Sequence, residues 1–266
     1  MPSASASPER ADPVDPMALF RLDGQVAVVT GASSGLGARF ARLLHSAGAT
    51  VVVAARRVDR LQSLVAELPG ALAVATDVSD PEAREQLIAS TLEHFGGIHV
   101  LVNNAGVAQK VAIEHEELDV FRNAMEINVT AVWHLSKLAA APMVAQGYGA
   151  IVNIASVLGH VGSSPIKQAH YCASKGAVVN MTRELALQFA RKGIHVNALS
   201  PGWFETEMTA GMESDPGSQD FIKRNSPIPR MGHAHELDGA FLLLASRAST
   251  FITGQSLIVD GGWTAR

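Results

Sequence analysis

Short apolar, β-branched runs alternate with helical stretches along most of this chain, and that alternation leaves few folds open. The runs are Val26-Ala27-Val28-Val29, Thr50-Val51-Val52-Val53-Ala54, residues 71–75, residues 99–102, Ala150-Ile151-Val152-Asn153-Ile154, residues 194–199 and a last one within residues 254–262. Strands that read as continuous apolar runs are buried on both faces, as parallel strands are, and parallel neighbours need a helical crossover between them. The pattern therefore predicts an α/β chain: one doubly wound parallel sheet with helices on both faces. With 266 residues, 47% of them hydrophobic, the chain suits one domain, taken here as residues 22–266. Residues 1–21, rich in Pro, Ala, Ser and Asp, read as a flexible N-terminal arm without the basic start and apolar centre of a secretory signal.

The first run ends in Thr30-Gly31-Ala32-Ser33-Ser34-Gly35-Leu36-Gly37, and a helical pattern carrying Phe40, Leu43 and Leu44 follows. Glycines at a strand-to-helix turn let backbone approach a pyrophosphate, whose charge the helix N-terminus favours. The spacing Gly-x-x-x-Gly-x-Gly differs from Gly-x-Gly-x-x-Gly, and a tight turn that binds nothing is the plain alternative. After the second run the chain reads Ala54-Ala55-Arg56-Arg57. An acid there would suit a ribose diol, whereas an arginine fork suits a 2′-phosphate. NADP(H) is thus the preferred cofactor and NAD(H) stays possible, since both arginines could simply open a solvated helix. Asp77, in Thr76-Asp77-Val78, is a candidate acceptor for an adenine amino group or a plain turn acid. The fourth run ends in Asn103-Asn104-Ala105-Gly106, small and amide residues suited to close cofactor approach.

Further on stands His170-Tyr171-Cys172-Ala173-Ser174-Lys175, with Ser156 fifteen residues before Tyr171. Tyrosine and lysine four apart share a helix face. An ammonium near a phenol favours the phenolate, so Lys175 and the Ser156 hydroxyl are expected to draw Tyr171 down from the ordinary phenol pKa of ~10. Alone, such a pair is an ordinary surface contact.

Taken together, Thr30-Gly31-x-x-x-Gly35-x-Gly37, Asn103-Asn104-Ala105-Gly106, Ser156, Tyr171-x-x-x-Lys175 and Pro201-Gly202 resemble the short-chain dehydrogenases/reductases, in that family's order and over residues 22–262. Within it the chain is similar to bacterial 3-oxoacyl thioester reductases, glucose dehydrogenases and ketone reductases. The resemblance implies hydride transfer between a nicotinamide cofactor and a carbonyl or secondary alcohol. Tyr171 would be the general acid/base, Lys175 would hold the nicotinamide ribose, Ser156 would position the reacting oxygen, and Asn128 would kink its helix and anchor a proton-relay water. Gly31, Ser33, Ser34, Gly35, Leu36, Gly37, Arg56, Arg57, Asp77, Val78, Asn104, Ala105, Gly106, Pro201 and Gly202 would line the cofactor, with Phe204 and Thr206 at the carboxamide. A homo-oligomer, tetramer or dimer, is also implied. Ser156 and Tyr171 lie slightly further apart than is usual in that family. Ser163 and Ser164 therefore compete for the serine role, and Ser156 is preferred because it follows a strand.

A single helix is expected over residues 119–147, with Phe121, Met125, Val129, Val132 and Leu135 largely buried and Pro142 bending or ending it. The Tyr171 helix is expected over residues 170–192 and a last helix over residues 236–245. The aperiodic stretch 207–232 reads as an active-site lid within residues 203–232, where Met208 and Met212 either line an apolar pocket or pack the lid down. Lys110, Gln168 and His160 are candidate contacts for polar substrate groups. A net charge of −4 and a pI near 6.2 argue against nucleic-acid binding. No apolar run reaches membrane-spanning length, the scattered histidines form no metal motif, and one cysteine suits a reducing, cytoplasmic setting. Other readings within reach are an NAD-dependent alcohol or sugar dehydrogenase, a non-catalytic nucleotide-binding regulator and a methyltransferase. The last two have no need of Ser156, Tyr171 and Lys175 together.

Overall fold

The central strands are buried along nearly their whole length, and successive residues face opposite sides of the sheet, which divides the core in two. The computed structural model describes residues 15–209, 211–212 and 214–265. The strands are β1 (Val26–Thr30), β2 (Thr50–Ala55), β3 (Leu72–Ala75), β4 (Val100–Asn103), β5 (Gly149–Ile154), β6 (Ile194–Pro201) and β7 (Ser256–Val259). All pair in parallel in the order β3-β2-β1-β4-β5-β6-β7. The doubly wound architecture read from the sequence is the one found.

The helices are α1 (Gly35–Ser46), α2 (Val58–Ala66), α3 (Pro81–Phe95), α4 (Leu118–Met125), α5 (Ala131–Gln146), α6 (Ala169–Phe189), α7 (Pro216–Asn225) and α8 (Asp238–Ala245). Ala27, Val29, Val51, Val53, Val100 and Val102 face one side, against Phe40 and Leu44 of α1, Leu61 and Leu64 of α2, and Phe241 and Leu244 of α8. Phe40 and Phe241 stack there at 4.0 Å between ring centroids. Val26, Val28, Val52, Leu101, Ile151 and Val196 face the other, against Leu87 of α3, Leu135, Ala139 and Met143 of α5, and Leu185 of α6. This is the two-residue period of a strand acting on a sheet covered on both faces.

The helix expected over residues 119–147 is in fact two, joined by a π-helical turn at Glu126–Thr130. Val132 and Leu135 are buried, but Phe121 is 39% exposed, because α4 turns Ala124 rather than Phe121 inward. Pro142 lies inside α5 without ending it; the helix stops at Gly147, whose φ of +74° no other residue type adopts readily. The stretch 207–232 is less irregular than its sequence suggests. Asp215 caps α7 by accepting the Ser218 N–H, Pro216 starts it, and Ile222 and Met212 are buried.

Most of the N-terminal arm, residues 1–14, lies outside the described residues; residues 15–21 include a 3-10 turn at Ala18–Phe20. Among the described residues no helix is long and apolar enough to cross a membrane. The sheet order reverses beside β1, whose neighbours are β2 and β4. The crevice outside the carboxyl ends at such a reversal is where ligands of open α/β sheets bind.

Candidate active site

The turn after β1 is locked onto the tip of β4. Thr30 Oγ1 donates to the Val102 carbonyl at 3.2 Å and accepts the N–H groups of Asn104 and Ala105. Asn104 Nδ2 donates back to the carbonyls of Thr30 (2.9 Å) and Gly31 (3.3 Å), so its amide holds the turn together. A Cβ on Gly31 would come within 2.8 Å of the Ala105 Cα, and one on Gly37 within 2.4 Å of the Gly31 carbonyl oxygen. Packing within the protein thus demands these two glycines. Gly35 has φ +53° and nothing nearer its missing Cβ than Thr206, at 4.0 Å, so it leaves open floor at the start of α1. Ser34, the N-cap of α1, makes no side-chain capping bond. The uncapped first turn keeps N–H groups and the positive end of the helix dipole for an anion. The turn therefore fits a dinucleotide's pyrophosphate.

Beyond the turn, Arg56, Arg57, Asp77 and Val78 line the same cleft. Asp77 Oδ1 accepts the backbone N–H and the hydroxyl of Ser79, and these bonds lower its carboxyl pKa. Arg57 donates to Ser33 Oγ (3.1 Å) and Ser34 Oγ (2.6 Å), and also to Glu207. The sequence marks Glu207 only as part of the lid. Nothing local marks it, since 150 residues separate it from Arg57.

At the other end of the cleft, β5 runs out into Ser156, and α6 presents Tyr171 and Lys175 from successive turns. Ser156 Oγ accepts the Leu158 N–H at 3.1 Å. Lys175 Nζ donates to the Ile154 carbonyl at 2.7 Å and sits 5.6 Å from the Tyr171 ring centroid. The expected lowering of the phenol is not what the chain alone produces. Burial pushes Tyr171 up to about 12, only partly offset by a hydrogen bond with Ser156. Burial also pulls Lys175 down to about 8. Desolvation disfavours both charged forms, and it outweighs the helix-face pairing.

Asn128 is fully buried in the π-helical turn and does not line the cleft. Its side chain clips the segment after β4. Oδ1 accepts the Val107 N–H, and Nδ2 donates to the Val107 carbonyl and to Ser174 Oγ, all at 2.8–2.9 Å. Ser174 Oγ in turn donates to the Tyr171 carbonyl. His170 and Glu116 are a further buried pair that the sequence reading missed; the Gln109 N–H donates to His170 Nε2 at 3.2 Å. Both devices tie residues 107–116 to the helix that carries Tyr171.

Ala108, Leu158, Ile166, Trp203, Thr209 and Met212 also line this cleft of about 560 Å³, with Lys110 and Gln168 as polar members. The Met208 side chain lies outside the described residues. His160 is not part of the lining: its Nε2 pairs with Ser200 Oγ and Ser256 Oγ behind the sheet end. Ser163 accepts from Gln168, and neither it nor Ser164 lines the cleft, which leaves Ser156 as the serine beside Tyr171. Asn103 also points away, bonding Asn153 Oδ1 and Ser136 Oγ in the core. Among the described residues no three His, Cys, Asp or Glu side chains gather as a metal site would need.

Residues 31–264 match the family model described as Enoyl-(Acyl carrier protein) reductase. The chain is 39% identical over 250 residues to gluconate 5-dehydrogenase of Gluconobacter oxydans, covering 92% of this chain and 97% of that one. Its structure resembles a short-chain type dehydrogenase/reductase from Mycobacterium marinum (TM-score 0.90, 37% identity), covering 95% of this chain and 100% of that one. It also resembles a gluconate 5-dehydrogenase from Burkholderia cenocepacia in complex with NADP and tartrate (TM-score 0.89, 35% identity), with the same coverage.

Proposed function

The chain belongs to the short-chain dehydrogenase/reductase family and is an oxidoreductase of alcohol and ketone substrates; from that premise we propose that it interconverts a ketone and a secondary alcohol with NADP(H) in preference to NAD(H), using Tyr171 as the general acid/base. One observation carries the reading: Ser156, Tyr171 and Lys175 line the same cleft as the glycine turn and Arg57, at its opposite end. The cofactor, when bound, supplies or accepts the hydride.

The chain's own residues hold and move the proton. In reduction, the Tyr171 phenol donates to the carbonyl oxygen, and the Ser156 hydroxyl donates a hydrogen bond that fixes that oxygen. A phenol held near 12 is loaded with its proton at neutral pH, which suits the acid role. In oxidation it must accept a proton, and a cationic Lys175 one turn away favours that. Asn128 has already donated both amide hydrogens. The main-chain carbonyl of its π-helical turn is then the group to hold a relay water behind Lys175.

Arg56 and Arg57, with the hydroxyls of Ser33 and Ser34, support binding of a 2′-phosphate. Lys110 and Gln168 among apolar Ile166, Trp203 and Met212 support a small substrate with a polar or anionic group beside its reacting carbon. Gluconate, in the relative's name, and the tartrate held by the Burkholderia enzyme are of that kind. Exposed Trp133 and Val144 on α5 and Leu187 on α6 support association between copies of the chain, and the single cysteine supports a cytoplasmic setting.

The test is Tyr171→Phe in a coenzyme-linked screen of hydroxy acids, sugar acids and neutral secondary alcohols. Turnover should fall by roughly 10²–10⁴-fold while NADPH binding, read by fluorescence, persists. Full turnover in the variant would end the proton role assigned to Tyr171.

A further inference from the structure

Glu207 opens a single 3-10 turn in the lid, Glu207–Thr209, yet its carboxylate reaches across to the cofactor end of the cleft. Oε2 accepts from Ser34 Oγ at 2.6 Å and from Arg57 Nη2 at 3.2 Å, while Oε1 accepts from Arg60 Nη1. Arg57 Nη2 is shared, since it also donates to Ser34 Oγ at 2.6 Å. The glycine turn, the start of α2 and the lid thus converge on one anion. Guanidinium groups and a serine hydroxyl aimed at a single negative oxygen cluster are what a phosphate monoester requires. In the chain alone, a side chain of the lid takes that place.

Resting on the reading of this cleft as a dinucleotide site, we propose that Glu207 is an internal rival of the cofactor's 2′-phosphate and sets how strongly the protein prefers NADP over NAD. A phosphate dianion and a carboxylate cannot share one guanidinium without like-charge repulsion. Binding of NADPH must therefore turn Glu207 away from Arg57 and Ser34, which loosens the first turn of the lid. NADH brings a neutral ribose diol to the same place and leaves the carboxylate where it is, with acceptor oxygens facing the hydroxyls. Glu207 thus narrows a preference that Arg57 creates. Because the Ser34, Arg60 and Arg57 bonds hold the Glu207 carboxyl down at about 2, the rivalry persists unchanged across the neutral range.

The experiment measures dissociation constants of NADPH, NADH, adenosine 2′,5′-bisphosphate and 5′-AMP for the native protein, Glu207→Gln, Arg57→Ala and the double variant, by calorimetry without substrate. Glu207→Gln should raise the affinity ratio of NADPH to NADH, and of the bisphosphate to AMP, by roughly 2- to 5-fold, the scale of exposed ion pairs. The increase should vanish in the Arg57→Ala background. An unchanged or lowered ratio in Glu207→Gln, or an increase that survives the loss of Arg57, overturns the rivalry. Glu207→Ala must agree with Glu207→Gln, which separates charge from amide contacts. Failure of the native protein to bind either dinucleotide would overturn the function proposed above as well, whereas binding with an unmoved ratio would sink this inference alone.

Discussion

Tyr171 and Lys175 stand one turn apart on α6, and burial drives both toward their neutral forms, the phenol to about 12 and the ammonium to about 8. This has a consequence for stability with a definite sign. The native state gives up the Lys175 proton near pH 8, while the unfolded chain keeps it to the ordinary 10.5. Between these values the unfolded chain holds more protons, so stability rises with pH in that window. Tyr171 acts in the opposite sense higher up: its contribution is fully present below pH 10 and is lost as pH climbs through 12. Lys175→Met should therefore be more stable than the native chain at pH 7, by up to on the order of 3 kcal/mol, with the gain shrinking toward pH 10. Urea unfolding of the cofactor-free proteins at several pH values checks this, and parallel pH profiles for the two would refute it.

At the scale of elements, the cofactor end is shaped by how closely the β1 turn packs on itself and on the tip of β4. A Cβ on Gly37 would lie 2.4 Å from a backbone oxygen, which cannot swing aside as a side chain could. Gly35 has room for the extra carbon and pays only for its positive φ. Gly37→Ala should destabilise the protein by about 1–3 kcal/mol and displace the start of α1. Gly35→Ala should cost about 1 kcal/mol. Denaturant midpoints rank the two, and an equal or reversed order would mean that the turn relaxes more freely than its packing implies. The π-helical turn between α4 and α5 works likewise. Widening the helix at Asn128 lets one amide take both backbone groups of Val107, fixing a part of the cleft wall.

For the whole molecule, the cleft joins parts that are far apart in the chain: the ends of β1, β2, β4, β5 and β6, the start of α6 and the lid. A ligand that touches all of them should tighten the entire fold. At about 100 times its dissociation constant NADPH should raise Tm by roughly 5–10 °C, and NADH at equal concentration by less. Thermal unfolding with each coenzyme measures it, and no rise with either would argue against dinucleotide binding altogether.

The seven strands and their parallel pairing were legible because β-branched runs, crossover lengths and glycine turns are local signals that act through backbone geometry. The cleft residues were legible because most belong to short motifs at strand tips, where the fold leaves no choice of location. Three things were settled only by tertiary structure. The state of Tyr171 depends on how much water the assembled cleft excludes, and no spacing along a helix encodes that. The resemblance implied a kink at Asn128, but not the full division into two helices at Glu126–Thr130 nor its anchor at Val107, because the periodic helical pattern runs straight through it. Glu207 meets Arg57 because the lid folds back over the sheet end, and Coulomb attraction depends on distance in space rather than on separation in sequence.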